Sequence, residues 1–231
     1  MSFPIIEVRN LTKTYGEGAN RVAALQGVDM GIDAGEIVAL RGASGSGKST
    51  LLGIIGCLDR PTEGKYFLGE RDVSTLTREE QAWVRLNYIG FVFQSFHLIP
   101  DATALENVAL PLYYAGTPRA EREARAKDLL ERVGLGDRLH HRPNQLSGGQ
   151  KQRVSIARSC ACKPRLLLAD EPTGALDSKS GIAVLELLRQ LHDEENLTIV
   201  IVTHDENVGA FAQRQILLKD GVIVSVTENP S

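Results

Sequence analysis

The apolar positions of this chain fall into short runs whose spacing changes along its length. Ile5 to Arg9, Ala23 to Ile32 and Glu36 to Arg41 read as strands, separated by turns at Gly16-Glu17-Gly18 and Asp33-Ala34-Gly35. After Arg41 a glycine-rich loop runs straight into an apolar, helix-like segment from Ser49 to Cys57. The stretch from Leu76 to His141 is more helical and more charged. Thr77-Arg78-Glu79-Glu80 has capping-box spacing, and Thr117-Pro118 predicts a charged helix with Thr117 as N-cap, Pro118 at N1 and a stop near Gly134. The last third alternates again: a helix from Ser147, strand Arg165 to Ala169, helix Lys179 to Glu194, strand Leu197 to Thr203, and a hairpin turned at Asp220-Gly221. Such alternation implies an α/β fold with a mainly parallel sheet and helices on its faces.

Composition narrows the class. The chain has 231 residues, 42% of them hydrophobic, enough to bury the core of one α/β domain. Its 26 basic and 29 acidic residues are interspersed, giving a net charge of −3, so no nucleic-acid partner is expected. Three cysteines without regular spacing fit a reducing compartment better than a disulfide framework. Cys160 and Cys162, two apart in an expected helix, diverge and read as small apolar residues. Met1 to Arg9 has no basic segment leading into an apolar core, so no signal peptide is expected. No run approaches the roughly 20 apolar residues a bilayer crossing needs. Any work at a membrane would then require a span supplied by another chain.

Candidate chemistry begins at Gly42-Ala43-Ser44-Gly45-Ser46-Gly47-Lys48-Ser49, followed by Thr50. It matches G-x-x-x-x-G-K-[ST] and lies between an expected strand and an expected helix, as the motif requires. Glycines let successive backbone N–H groups turn inward, and the helix start adds positive dipole, which together suit a triphosphate. Lys48 would bridge β- and γ-phosphates, with Ser49 Oγ on Mg²⁺. A merely flexible glycine loop is the plain alternative. Further on, Leu166-Leu167-Leu168-Ala169-Asp170-Glu171 is an apolar strand ending in two carboxylates, at the end of a parallel strand where ligands gather. Strand alternation would send the two to opposite sides, Asp170 to Mg²⁺ and Glu171 to the attacking water.

A second glycine site, Leu146-Ser147-Gly148-Gly149-Gln150, precedes an expected helix. Ser147 alone would cap it, so the added glycines point to a backbone that must be approached closely. The pentapeptide is the ABC signature motif, and from Ile5 to Val226 the chain resembles the nucleotide-binding subunits of ABC transporters. That resemblance implies a P-loop NTPase core with a mainly parallel sheet, an N-terminal antiparallel β subdomain and a helical lobe. It implies one ATPase domain over residues 1–231, with the core at about 1–93 and 142–231 and the lobe at about 94–141. By the same resemblance Tyr15 stacks on adenine, Gln94 touches Mg²⁺ and the attacking water, and His204 bonds the γ-phosphate. Asp177 closes the D-loop Gly174-Ala175-Leu176-Asp177, in which Ala175 stands where Asn is more usual. The family binds ATP and Mg²⁺ in a homodimer, Ser147, Gly148, Gly149 and Gln150 of one copy closing on the phosphate loop of the other, on the cytoplasmic face of the plasma membrane beside an integral membrane subunit.

The segment Phe96-His97-Leu98-Ile99-Pro100 through Ala104-Leu105-Glu106-Asn107-Val108 to Gly116 resembles the branch of lipoprotein-releasing, macrolide-exporting and cell-division ATPases. His97 stands where that branch often has Asn. Export or extraction of a substrate from a membrane is the activity implied. An ABC ATPase that signals through a membrane partner to cell-envelope enzymes, without transport, is the alternative.

Overall fold

A computed structural model of the chain describes residues 4–229. They form two compact units, one of residues 4–85 with 196–229 and the other Leu86–Glu195. The first unit opens with β1 (Ile6–Tyr15), β2 (Val22–Ile32), β3 (Ile37–Arg41), α1 (Lys48–Ile55), β4 (Glu63–Leu68) and β5 (Arg71–Asp72), and α2 (Arg78–Tyr88) then carries the chain onward. The second unit contains β6 (Ile89–Phe93), α3 (Ala104–Tyr114), α4 (Arg119–Arg132), α5 (Gly148–Ser159), β7 (Leu166–Asp170) and α6 (Ser178–Glu195). The chain returns to the first unit with β8 (Thr198–Thr203), α7 (Glu206–Phe211), β9 (Arg214–Lys219) and β10 (Val222–Glu228).

Two sheets build the first unit. One is antiparallel with order β2-β1-β4-β5. In the other, β3 pairs in parallel with both β8 and β9, and β10 closes the edge antiparallel to β9. In the second unit β6 and β7 are parallel. Ile37 to Leu40, Leu166 to Ala169 and Ile199 to Val202 are buried throughout, which is how a parallel strand covered on both faces reads. Each large aliphatic side chain so buried contributes about 1.5–3 kcal/mol relative to an exposed one. Strand β1 alternates instead, burying Ile6, Val8 and Leu11. Its pattern breaks at Asn10, which has φ 47° at a register shift between Val8 and Leu11. Alternation therefore stops near Arg9 although the strand continues to Tyr15.

The turn chemistry is mostly as expected. Thr77 N–H donates to Glu80 Oε2 at 2.8 Å and Glu80 N–H to Thr77 Oγ1 at 3.2 Å, closing the box ahead of α2. Gly134 follows the end of α4 with φ 70°. At the start of α4 the frame is one residue later than expected: Pro118 is the N-cap, with ψ 148°, Arg119 is the first helical residue, and no side chain caps the turn. A proline in extended ψ ends the preceding turn by itself, so Thr117 is left outside. Cys160 is the C-cap of α5 and Cys162 lies beyond it, so helix geometry is not what separates them. Burial raises both the Cys57 and Cys160 thiols to about 11, the behaviour of packed apolar groups. Among the described residues no helix is long and apolar enough to cross a membrane.

Candidate functional site

In the first unit the phosphate loop emerges from β3 and ends in α1. Gly42, Gly45 and Gly47 have φ 152°, 80° and 104°, values that L side chains rarely adopt. Space matters as well. A Cβ on Gly42 would come within 2.2 Å of the Leu218 carbonyl oxygen, and one on Gly47 within 2.6 Å of that of Ala24. Ala43, Ser44 and Gly45 stand exposed on the crest of the loop, while Ser46 and Lys48 are buried. Gly221, in the turn between β9 and β10, donates its N–H to Ser46 O at 3.0 Å and so props the loop from behind.

Three features of this loop leave it short of acceptors. Helix α1 begins behind Gly47 with no side chain capping its first turn, so those N–H groups have no intrahelical acceptor. Lys48 Nζ folds back onto the carbonyls of Gly42 and Ala43, both at 2.8 Å, and pairs with no carboxylate among the described residues. Ser46 Oγ is buried without a hydrogen-bond partner. Converging donors, an ammonium satisfied only by neutral carbonyls and an orphaned hydroxyl fit a polyphosphate. Ser49 is exposed on the first turn of α1, with half-buried Thr50 beside it. The parallel register Arg41↔Thr203 makes Gly42 and His204 the next residues out of two paired strand ends, which brings His204 level with the start of the loop. Asp205 and Glu206 follow, Asp205 Oδ1 accepting from Asn207 N–H at 2.8 Å to cap α7.

In the second unit the register Phe93↔Asp170 does the same for Gln94 and Glu171. Asp170 is the last residue of β7, but Glu171 has φ 47° and lies outside the strand. Strand alternation therefore does not set the division between the two carboxylates; a left-handed turn does. Gly174 N–H donates to Glu171 O at 3.0 Å, and a Cβ on Gly174 would come within 2.8 Å of Gln94 Nε2. Gln94, Glu171 and Gly174 are thus packed together.

Two residues unmarked in the sequence hold these strand exits. Gln152 of α5, fully buried, donates Nε2 to Pro172 O at 2.6 Å and to Phe93 O at 3.4 Å, tying the residue before Gln94 to the residue after Glu171. Arg158, in the last turn of α5, donates to the carbonyls of His97 at 2.6 Å and Phe96 at 2.9 Å. Both are left-handed, with φ 46° and 60°, and burial lowers the guanidinium's pKa from its ordinary value. Asn, Asp and His are the side chains that tolerate that region best, which suits His97 to its place. A glutamine or arginine within an otherwise apolar helix segment was the available signal for each, but neither pattern names its partner.

Helix α5 starts at Gly148 behind Ser147, whose Oγ accepts from Gln150 N–H at 3.3 Å while Gln150 Oε1 accepts from Ser147 N–H at 2.9 Å. The N–H groups of Gly148 and Gly149 have no intrahelical acceptor. Their missing side chains also serve packing: a Cβ on Gly149 would come within 3.0 Å of Ser180 Oγ, and one on Gly148 within 3.3 Å of Leu176 Cδ2. Asp177 accepts from Ser180 N–H at 3.0 Å and from Ser180 Oγ at 2.7 Å, capping the start of α6. Those hydrogen bonds, the side-chain one foremost, lower its pKa.

Comparison with known proteins gives this geometry a family. Residues 25–174 match the family model described as ABC transporter. The chain is 53% identical to the pyoverdine export ATP-binding/permease protein PvdT of Pseudomonas fluorescens over all of its own length and 36% of that protein's. It is 54% identical to the macrolide export ATP-binding/permease protein MacB of Nitrosomonas europaea, over 97% of this chain and 34% of that one. It thus spans about a third of the length of these curated relatives. Among solved structures, the ATP-binding cassette MJ0796, in a dimeric post-hydrolysis state bound to ADP and Pi, superposes with a TM-score of 0.90 at 46% identity, covering 98% of this chain and 99% of that one. CbiO1 of Clostridium perfringens, part of the ABC transporter complex cbiONQ, gives 0.88 at 29% identity, covering 98% and 89%. A glycine-capped phosphate loop, a capped signature helix and a family match over residues 25–174 have one common explanation: the chain belongs to the ABC transporter family.

Proposed function

We propose that this chain is an ATPase cassette that pairs with a second copy around ATP and drives a membrane-embedded export machine. The observation that supports it most is the phosphate loop, where the α1 start and Ser46 Oγ lack an acceptor and Lys48 is held only by neutral carbonyls. Gly42 to Thr50 hold the phosphates, Lys48 leaving its loop carbonyls for the β- and γ-oxygens. Tyr15 carries the adenine. Ser49, Asp170 and Gln94 are the residues we assign to Mg²⁺, which when bound supplies charge neutralisation at those oxygens. Their donor set is a hydroxyl, an amide oxygen and one carboxylate, all oxygen, which suits a Mg²⁺ shared with oxygens of the nucleotide.

Glu171 accepts the proton of the attacking water, Gln94 orients that water, and His204 donates to the γ-phosphate. Ser147, Gly148, Gly149 and Gln150 of a second copy supply further donors to the same phosphate, and Asp177 lies on the face that copy meets. Hydrolysis breaks the bond from the γ-phosphorus to the bridging oxygen, leaving ADP and inorganic phosphate, and departure of that phosphate removes the charge that holds the copies together, a ligand-biased switch between two states. The residues at about 94–141 act as the helical lobe within a single ATPase domain of residues 1–231. The relatives named above are export ATP-binding/permease proteins, which supports export over signalling; we assign the cassette to the cytoplasmic face of the membrane. Their macrolide and pyoverdine cargoes are theirs.

The test is Glu171→Gln. Losing a positioned base lowers kcat by about 10²–10⁴-fold while ATP still binds, so light scattering should show a stable dimer with ATP and Mg²⁺ and monomer with ADP. A variant that hydrolyses ATP normally, or stays monomeric with saturating ATP, would remove this reading.

A further inference from the structure

Tyr15 is held by two residues that neither the motifs nor the family match mark. Lys13, two positions earlier on β1, carries its Nζ 4.8 Å from the centroid of the Tyr15 ring. The same Nζ donates to Asp59 Oδ1 and to Arg60 O, each at 2.7 Å. Tyr15 Oη donates to the other oxygen of that carboxylate, Oδ2, at 2.9 Å. One aspartate thus grips both the cation and the ring it faces. The Lys13 side chain is 12% exposed, whereas Tyr15 remains 43% exposed, so the lysine has withdrawn its charge against a ring that still shows a large free surface. Burial acts to raise the Asp59 carboxyl, but Lys13, the Arg60 N–H and Tyr15 outweigh it and hold it below its ordinary value. Asp59 stands in the turn that ends α1, where Leu58 and Asp59 both donate N–H to Gly53 O. The helix that starts at the phosphate loop therefore ends at the group that fixes the aromatic.

We propose that Lys13 and Asp59 are positioning residues that make Tyr15 a one-faced stacking platform for a nucleotide base, Lys13 filling one face of the ring and the base taking the other. The proposal rests on the triphosphate reading of the loop. A cation against one face draws on the ring's quadrupole and leaves the opposite face better matched to an electron-rich base. Stacking needs a π-face rather than a hydrogen-bond pattern, so ATP and GTP both benefit.

The test uses the full chain as wild type, Lys13→Met, Lys13→Arg, Tyr15→Ala and the Lys13→Met/Tyr15→Ala pair. Lys13→Met should raise KM for ATP about three- to tenfold with kcat unchanged. The inhibition constant of inorganic tripolyphosphate, which has the phosphates but no base, should not move; that constant also reports an intact loop. Lys13→Arg should stay near wild type, and in the Tyr15→Ala background Lys13→Met should add nothing. An unchanged KM overturns the proposal, as does tripolyphosphate weakening in parallel, or full additivity with Tyr15→Ala. A wild-type chain that binds no ATP removes the functional reading itself, whereas a wild type that binds ATP with a silent Lys13→Met removes this inference alone.

Discussion

The chain has two glycine-bearing helix starts, and they are built in opposite ways. Helix α1 begins behind Gly47 at φ 104° with no side chain accepting from its first turn; α5 begins behind Ser147 with both arms of a capping box made. A helix start leaves four N–H groups without partners, and a Ser, Thr, Asp or Asn cap stabilises it by about 0.5–2 kcal/mol. Helix α5 has that contribution on its own. Helix α1 forgoes it, and its donors wait for an acceptor from outside the chain. Under the proposed function the difference gives them different partners in time: α1 would take nucleotide as a property of the single chain, whereas α5, with its capping box already made, would engage a phosphate only when a second copy presents one.

The largest effect that could break this contrast is at Gly47. Gly47→Ala forces a side chain into φ 104° and places a Cβ 2.6 Å from the Ala24 carbonyl. Left-handed backbone alone costs about 1–2 kcal/mol, and the backbone contact has to be relieved by moving the loop. ATP affinity, followed with a fluorescent nucleotide, should fall by at least about 100-fold, roughly 2.7 kcal/mol. Ordinary binding by Gly47→Ala would show that the donors of α1 are not what holds ATP. Arg158→Met comes next and probes the far end of α5. It frees Phe96 and His97 from the guanidinium that holds them left-handed, conformations costing of order 1–3 kcal/mol each. The loop carrying Gln94 should relax, lowering kcat about tenfold with KM for ATP unchanged. Adding His97→Gly, which makes φ 46° easy to adopt, should restore part of the loss. A second variant no better than the first would mean that Arg158 serves packing alone.

What could be read from the sequence follows the range of the interactions. The phosphate loop is written in nine consecutive residues, Gly42 to Thr50, and its glycines answer local demands of φ, so the motif, the strand before it and the helix after it were all legible. So was the N-cap at Ser147, which accepts from Gln150 three residues on. Three of the parallel strands, β3, β7 and β8, were legible because they are apolar over most of their length; β6 lies in the stretch read as more helical. Features joined across long sequence separations were not. Arg158 meets His97 61 residues away, Gln152 meets Phe93 59 away and Lys13 meets Asp59 46 away. A hairpin turn at Asp220-Gly221 was expected, but nothing local says that Gly221 props Ser46. The left-handed backbone at Glu171 was hidden for a different reason: Glu has no preference for it, so it is imposed by what surrounds it.

The smallest effect separates the two uses of Ser147. Ser147→Ala removes the bond from Gln150 N–H and should cost about 1 kcal/mol, a fall in Tm of about 2–4 °C for a chain of this size. That loss is expected whether α5 serves the fold or a phosphate, so Alanine alone decides nothing. Ser147→Asp does. Aspartate caps a helix as well as serine does, and its charge at the helix start is favourable by about 0.3–1 kcal/mol, so the Tm of the free chain should hold or rise. The same charge would face the γ-phosphate of a second copy, and like charges brought together without water repel. ATP-dependent pairing in the Glu171→Gln background should then be lost while nucleotide binding by the monomer persists. A chain with Ser147→Asp that is stable and still pairs on ATP would make α5 an ordinary capped helix, and the contrast with α1 would be one of folding alone.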